Sequence, residues 1–163
     1  MLKILALAIA LVVVVLDQVF KILVVNNIKP NGPVTVIDNL LDFVYVENKG
    51  AAFGMLANSR WIFISITTLV LIGFIVALFK NKTNSKLFYI SSALIIGGGV
   101  GNLIDRIYLG YVVDFLAVSF FPPVCNFADY AVTIGTALFV IYLCFFSDVF
   151  KTKNKIDEVS NKK

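Results

Sequence analysis

The chain has 163 residues, 60% of them hydrophobic and only 15% charged, with a net charge of +4. A soluble domain is nearer half apolar with about a quarter of its residues charged, so much of this surface is expected to face lipid. The chain has no histidine, which excludes a Ser-His-Asp triad, a Cys-His pair and a histidine-ligated zinc site. Any chemistry must come from carboxylate, amide, hydroxyl, lysine or arginine groups.

Four apolar runs are long enough to cross a membrane, which predicts an all-α membrane fold. At about 1.5 Å of rise per residue, the charge-free run 61–79 spans roughly 28 Å, close to the thickness of the hydrocarbon core. A cleavable signal peptide is the alternative for the first run, but Asp17-Gln18 follows its apolar core without a small-residue cleavage pattern. The predicted spans are 4–25, 61–79, 87–104 and 130–146.

Lysine residues concentrate on one side of the predicted bundle. The connection 80–86 holds three lysines, and the stretch 149–163 holds five more. Because cytoplasmic loops are rich in Lys and Arg, we expect both termini in the cytoplasm, with the connections 26–60 and 105–129 facing outward. Residues 1–148 are predicted to form the membrane domain, and 149–163 a disordered basic tail.

The first outer connection carries the pattern of a small sheet. Pro30-Asn31-Gly32-Pro33 is a turn signal, and it is followed by two runs rich in β-branched and aromatic residues, Val34 to Ile37 and Leu41 to Val46. The predicted architecture is therefore a four-transmembrane-helix bundle with a small extracellular β-sheet in the first outer loop.

Two charged residues interrupt the first span. Charges at membrane depth are costly unless they are paired or face the bundle interior, so each is a functional candidate. Asp17 and Lys21 stand four residues apart, which places them on one face of a helix and within reach of each other. A structural ion pair that fixes the position of the helix is the interpretation we favour, and a functional role is the alternative.

The third span ends in a glycine-rich stretch, Gly97 to Gly101, followed by polar residues. No register of these glycines supplies a dinucleotide fingerprint, and close packing of helices in the membrane explains them better. Asn102, Asp105 and Arg106 share one face at spacings of three and four residues. We expect that face to point into the bundle near its outer surface.

Two further acids lie near the outer ends of the third and fourth spans. Asp114 is flanked by apolar residues, and Asp129 follows Asn126 by one helical turn. Two carboxyl groups brought together share a proton, which provides a base to activate water and an acid to protonate a carbonyl oxygen. Spacing alone makes a catalytic pair only one of several interpretations.

Two other classes of protein fit the same residues. Charged groups in spans also mark ion paths, although four spans lack the repeated halves typical of transporters. A non-catalytic membrane scaffold is the other alternative, but it gives no role to Asp114 and Asp129, the two inward-facing acids at the outer membrane face.

Five ordered blocks carry a resemblance to a known family. The blocks are Asp17-Gln18-Val19-Phe20-Lys21, Asn48-Lys49-Gly50-Ala51-Ala52-Phe53-Gly54, Gly101-Asn102-Leu103-Ile104-Asp105-Arg106, Val112-Val113-Asp114-Phe115 and Asn126-Phe127-Ala128-Asp129. On these blocks, the chain resembles the bacterial lipoprotein signal peptidases (signal peptidase II, aspartic peptidases of the membrane) over about residues 1 to 148.

The resemblance implies that Asp114 and Asp129 form the catalytic pair. The residues expected to shape the site and position substrate are Asn102, Asp105, Arg106 and Asn126. An extracellular cradle over the site would include Asn48, Gly50 and Ala51, and the first helix would be held by Asp17 with Lys21.

The same resemblance implies the substrate and the location. The substrate would be a prolipoprotein whose cysteine already carries diacylglycerol, cleaved just before that cysteine at the outer face of the bacterial cytoplasmic membrane. No metal or cofactor and no nucleic acid are expected, and we expect a monomer whose other partners are membrane lipids.

Two positions depart from the pattern of the family. Phe20 stands where Ser or Thr is usual, and Cys125 where Phe is usual. Neither change removes a charge or a motif amide. Cys125 lies near the proposed pair, so thiol reagents are expected to affect the protein. The other cysteine, Cys144, lies in an apolar run, and no disulfide framework is indicated.

Overall fold

The computed structural model describes residues 1–50 and 59–147, which form four long helices and a four-stranded antiparallel sheet. The helices are α1 (Leu2–Asn31), α2 (Arg60–Lys80), α3 (Lys86–Tyr108) and α4 (Phe127–Phe145). The strands are β1 (Val34–Ile37), β2 (Leu41–Asn48), β3 (Val112–Val118) and β4 (Phe121–Cys125), in the order β1-β2-β3-β4. The predicted fold class is confirmed.

All four helices are long and apolar enough to cross a membrane, and α3 is the central one. In the most apolar segment of α3, 56% of the residues are buried, against 11% in that of α2. Glycines allow the close approach: a Cβ at Gly97 would lie 2.7 Å from the Cβ of Val13 on α1, and one at Gly98 would lie 2.5 Å from the carbonyl oxygen of Ala128 on α4. Close helix packing, as predicted, is therefore the role of this glycine stretch.

Helix α1 is longer than the predicted span and continues through Pro30. Its 30 residues measure about 45 Å, more than the roughly 30 Å of the hydrocarbon core, so one end projects beyond the membrane. There Val24 packs against Val113 and Phe115 of the sheet. Pro30 does not end the helix, because in the last turn it removes only one helical hydrogen bond. The chain turns at Gly32, where φ is +89°.

The sheet contains both strands predicted in the first outer connection and two that were not predicted. β3 and β4 come from the second connection, and β3 pairs with β2 so that Val46 lies opposite Asp114. The sequence pattern did not predict β3, because this strand begins with four consecutive buried residues and so lacks the alternation of apolar and polar residues. β4 contains Pro122 and Pro123, which are tolerated because it is an edge strand.

Candidate active site

The two candidate catalytic acids lie on different elements and meet at one asparagine. Asp114 is on β3, and Asp129 is in the first turn of α4. Asn126 caps α4: its Oδ1 accepts a hydrogen bond from the Asp129 N–H at 2.9 Å, and its own N–H donates to Asp129 Oδ2 at 3.0 Å. The Asn126 Nδ2 donates to Asp114 Oδ1 at 2.6 Å. One buried residue thus donates to both carboxyl groups, through its side-chain amide to Asp114 and through its backbone N–H to Asp129.

Two more asparagines complete a ring of amide donors. Asn48, at the end of β2, donates from Nδ2 to Asp114 Oδ2 at 2.8 Å. Asn102 on α3 donates from Nδ2 to Asp129 Oδ1 at 2.8 Å, and its Oδ1 accepts from Asn126 at 3.1 Å. Each of the four carboxylate oxygens therefore accepts a hydrogen bond, which fixes the orientation of both groups.

The pKa of Asp114 is raised to about 7. Burial is the largest cause, since the residue is only 2% exposed, and the neighbouring charge of Asp129 is the second. The donors Asn48 and Asn126 act in the opposite direction because they stabilise the charged form. Burial prevails, so Asp114 holds a proton for a substantial part of the time near neutral pH.

A buried ion cluster lies next to the pair of acids. Lys21 Nζ is 2.8 Å from Asp17 Oδ2 and 3.0 Å from Asp105 Oδ2, and it donates to Asn102 Oδ1 at 3.0 Å. Asp17, Lys21 and Asp105 are each at most 3% exposed. The predicted contact between Asp17 and Lys21 is present, but the lysine is shared with a second carboxylate.

Each carboxylate of this cluster holds the backbone beside one candidate catalytic acid. Asp17 Oδ1 accepts from the N–H of Ala128, the residue before Asp129, at 3.0 Å. Asp105 Oδ2 accepts from the N–H of Val113, the residue before Asp114, at 3.0 Å. The cluster therefore connects α1 and α3 to the two segments that carry the pair.

Sequence reasoning missed Gln18, whose amide joins the same cluster. Its Nε2 donates to Asp17 Oδ2 at 3.2 Å, to Asp105 Oδ1 at 3.1 Å and to the Gly101 carbonyl at 3.2 Å. The available signal was a polar residue inside an apolar span, the same signal that singled out its neighbour. Phe20, which departs from the family pattern, packs with its ring centroid 5.9 Å from that of Phe127.

Arg106 and Gly50 lie at the edge of the site. The guanidinium of Arg106 stacks 5.0 Å from the ring centre of Phe63, and its contact with the Gly50 carbonyl is long, at 3.5 Å. The Gly50 N–H donates to Asn48 Oδ1 at 3.0 Å, which supports the amide that contacts Asp114. Ala51, the remaining predicted residue, lies outside the described residues.

Two mainly apolar cavities of about 330 Å³ share Asp129 and Thr133 of α4 in their walls. One lies between the β3–β4 hairpin and α4, and Cys125 is in its wall. Burial and the two nearby acids raise the pKa of the Cys125 thiol to about 11. The second cavity lies between α2, α3 and α4 and extends along α3 from Arg106 to Ile95. Within residues 1–50 and 59–147, no three acidic or cysteine side chains converge as metal ligands.

Comparison with known proteins decides the family. A family model described as Signal peptidase (SPase) II matches residues 9–145. The chain belongs to the signal peptidase II family. A relative named Lipoprotein signal peptidase, from Caldanaerobacter subterraneus subsp. tengcongensis, is 46% identical over 141 residues, which cover 86% of this chain and 96% of the relative. Another of the same name, from Halothermothrix orenii, is 44% identical over 135 residues, covering 83% and 92%.

Two solved structures of bacterial membrane enzymes agree with the fold. A bacterial membrane enzyme determined by the in meso method at 2.3 Å resolution gives a TM-score of 0.79 at 32% identity, covering 97% of this chain and 91% of that one. A second, at 1.9 Å, gives 0.78 at 32% identity, covering 87% and 94%. This member of the signal peptidase II family is a peptidase and a multi-pass protein of the bacterial inner membrane, and a transporter or scaffold is not favoured.

Proposed function

We propose that this chain is an aspartic peptidase that removes the signal peptide from diacylglyceryl-modified prolipoproteins, cleaving just before the lipidated cysteine. Relatives named Lipoprotein signal peptidase support the substrate class. The observation that carries the aspartic mechanism is that one residue, Asn126, donates to both carboxyl groups: its side-chain amide to Asp114 and its backbone N–H to Asp129.

The two acids divide the chemistry between them. Asp114, with its pKa raised to about 7, donates a proton to the oxygen of the scissile carbonyl. Asp129, whose carboxylate accepts from Asn102 Nδ2 and from the Asn126 N–H, takes a proton from the attacking water. The tetrahedral intermediate then collapses: the C–N bond breaks, the leaving amine takes up the proton held by Asp129, and one hydroxyl group of the intermediate returns a proton to Asp114 as the C=O bond forms again. No step calls for a metal or a cofactor.

The other site residues hold this pair in place. Asn48 and Asn126 orient the Asp114 carboxyl group through its two oxygens. The carboxylates of Asp17 and Asp105, joined by Lys21, fix the backbone next to the two acids. Arg106 and Gly50, which stand at the rim of the site, together with Ala51, position the substrate. That the enzyme is a monomer stays a prediction.

We further propose that the site faces outward and that both termini are cytoplasmic. The lysine-rich connection 80–86 lies at the end of the bundle opposite to the sheet, and cytoplasmic loops are enriched in lysine. Reporter fusions test this: a fusion at Lys82 should report the cytoplasm, and one at Pro33 the exterior. An external signal at Lys82 would reverse the orientation.

Cleavage of a diacylglyceryl-modified prolipoprotein by the detergent-purified protein, followed by gel shift, tests the proposed chemistry. Asp114→Asn and Asp129→Asn should each abolish the shift, while Asp38→Asn, an exposed acid in the β1–β2 turn, should cleave normally. Cleavage should not need an ion gradient. Substantial activity in either of the first two variants would refute the assignment.

A further inference from the structure

The two hairpins of the sheet differ in charge. The β1–β2 hairpin contains the acids Asp38, Asp42 and Glu47, whereas no charged residue occurs between Phe115 and Phe127 in the β3–β4 hairpin. The tip of the β3–β4 hairpin also exposes two large aromatic rings: Phe120 is 79% exposed and Phe121 is 47% exposed. We call these two residues the Phe120–Phe121 tip.

The tip lies beside a membrane-spanning helix and not above it. Phe120 and Phe121 line the same cavity as Tyr130 and Thr133 of α4. Thr133 is six residues beyond the first residue of α4, or about 9 Å along the helix axis. The tip therefore reaches the level of the first two turns of a helix that crosses the membrane.

Other exposed aromatic residues mark the membrane surface at this end of the bundle. Trp61, at the start of α2, is 71% exposed, and Tyr108, at the end of α3, is 81% exposed. Tryptophan and tyrosine are enriched where spans meet the headgroup region. Within residues 1–50 and 59–147 the tip is covered only in part, since most of Phe120 and nearly half of Phe121 remain exposed, so a lipid leaflet is the apolar partner that this position provides.

We propose that the Phe120–Phe121 tip inserts into the lipid leaflet on the sheet side, while the charged β1–β2 hairpin remains in water. Two exposed phenylalanines in a charge-free hairpin are the kind of anchor that binds by burying apolar area at the boundary between headgroups and acyl chains. The proposal does not depend on the catalytic roles. If those roles hold, the cavity beside Asp129 opens directly toward the leaflet that delivers a lipidated substrate.

Tryptophan fluorescence in bilayers tests the insertion, because the chain has a single tryptophan. In a Trp61→Phe background, Phe121→Trp and Val36→Trp form a matched pair, since both positions are 47% exposed and lie on opposite edge strands. The proteins are placed in phosphatidylcholine nanodiscs with or without bromine on the acyl chains, and iodide serves as the quencher in water.

We expect brominated lipid to reduce the Phe121→Trp emission to about half or less, with iodide having little effect, and the reverse for Val36→Trp. Phe120→Trp is the second tip reporter if the first variant does not fold. Equal quenching of tip and control by brominated lipid, or strong iodide quenching at the tip, would overturn the proposal. The readout does not require cleavage, so its failure is distinguishable from a failure of the proposed function.

Discussion

Replacing Lys21 by methionine should destabilise the protein more than neutralising either of its acidic partners. Among the described residues, Lys21 is the one cation in contact with both Asp17 and Asp105. Its removal leaves two buried carboxylates without a counter-charge, and one such stranded charge typically costs about 3–5 kcal/mol. We therefore expect Lys21→Met to cost at least that amount.

The acidic partners should behave differently, because the lysine keeps one of them. Asp17→Asn leaves the Lys21–Asp105 pair intact and removes only charge-assisted hydrogen bonds, worth about 1.5–3 kcal/mol. Lys29→Met is the control. Lys29 pairs with Glu47 at 3.5 Å, and the two side chains are 46% and 36% exposed. Because water screens such an exposed pair, the free energy of unfolding should fall by less than about 1 kcal/mol.

The assay is unfolding in mixed micelles of mild detergent and SDS at pH 7, followed by circular dichroism. The expected order of destabilisation is Lys21→Met, then Asp17→Asn, then Lys29→Met. Neutralising all three members of the buried cluster should recover part of the loss, since no charge is then stranded. If Asp17→Asn costs as much as Lys21→Met, or if the exposed control does, the shared-cation interpretation is wrong.

Three further predictions use other parts of the site. Cleavage should decline as pH rises through about 7, where Asp114 loses its proton. Asn48→Ala removes a donor that stabilises the charged form of Asp114, so the pKa of Asp114 should rise and the alkaline limb of the kcat/KM profile should move to higher pH. A shift of this limb to lower pH would contradict the assignment. Gly98→Ala should cost about 1–3 kcal/mol, because its Cβ would meet a carbonyl oxygen at 2.5 Å, whereas Gly73→Ala, with nothing within 4 Å, should be neutral or slightly stabilising in the same unfolding assay. Alkylation of Cys125, measured in a background without the other cysteine, should be slow at pH 7 and accelerate about tenfold per pH unit toward its pKa of about 11; a fast, pH-independent reaction would contradict the raised pKa.

Hydropathy and local spacing were sufficient for the helical part of the fold. The four spans follow from apolar length, and the contact between Asp17 and Lys21 follows from a separation of four residues on one helix. Spacing could not reveal that Asp105, on another helix, shares the lysine. That contact depends on how α1 and α3 face each other, which is set by glycine packing that sequence periodicity does not describe.

The pair of acids illustrates the same limit. Spacing placed Asp114 and Asp129 at one membrane face, but their meeting depends on a strand that was not predicted. β3 lacks alternation because four consecutive residues are buried, and its position is fixed by pairing with β2. The side-chain amides that donate to one or the other of the two acids come from β2, α3 and the cap of α4, segments that lie far apart in the sequence. The resemblance, not the spacing, selected the residues of the site.

The most direct test of the central claim is a kinetic comparison of Asp114→Asn, Asp129→Asn and the double variant on a diacylglyceryl-modified prolipoprotein in bilayers. Because the two carboxyl groups act together on one peptide bond, Asp114 on its carbonyl oxygen and Asp129 on the attacking water, each single variant should lose at least about 10²-fold in kcat. The double variant should lose no more than the worse single variant. A single variant that keeps most of its activity, or a double variant whose loss is the product of the two single losses, would contradict the shared mechanism.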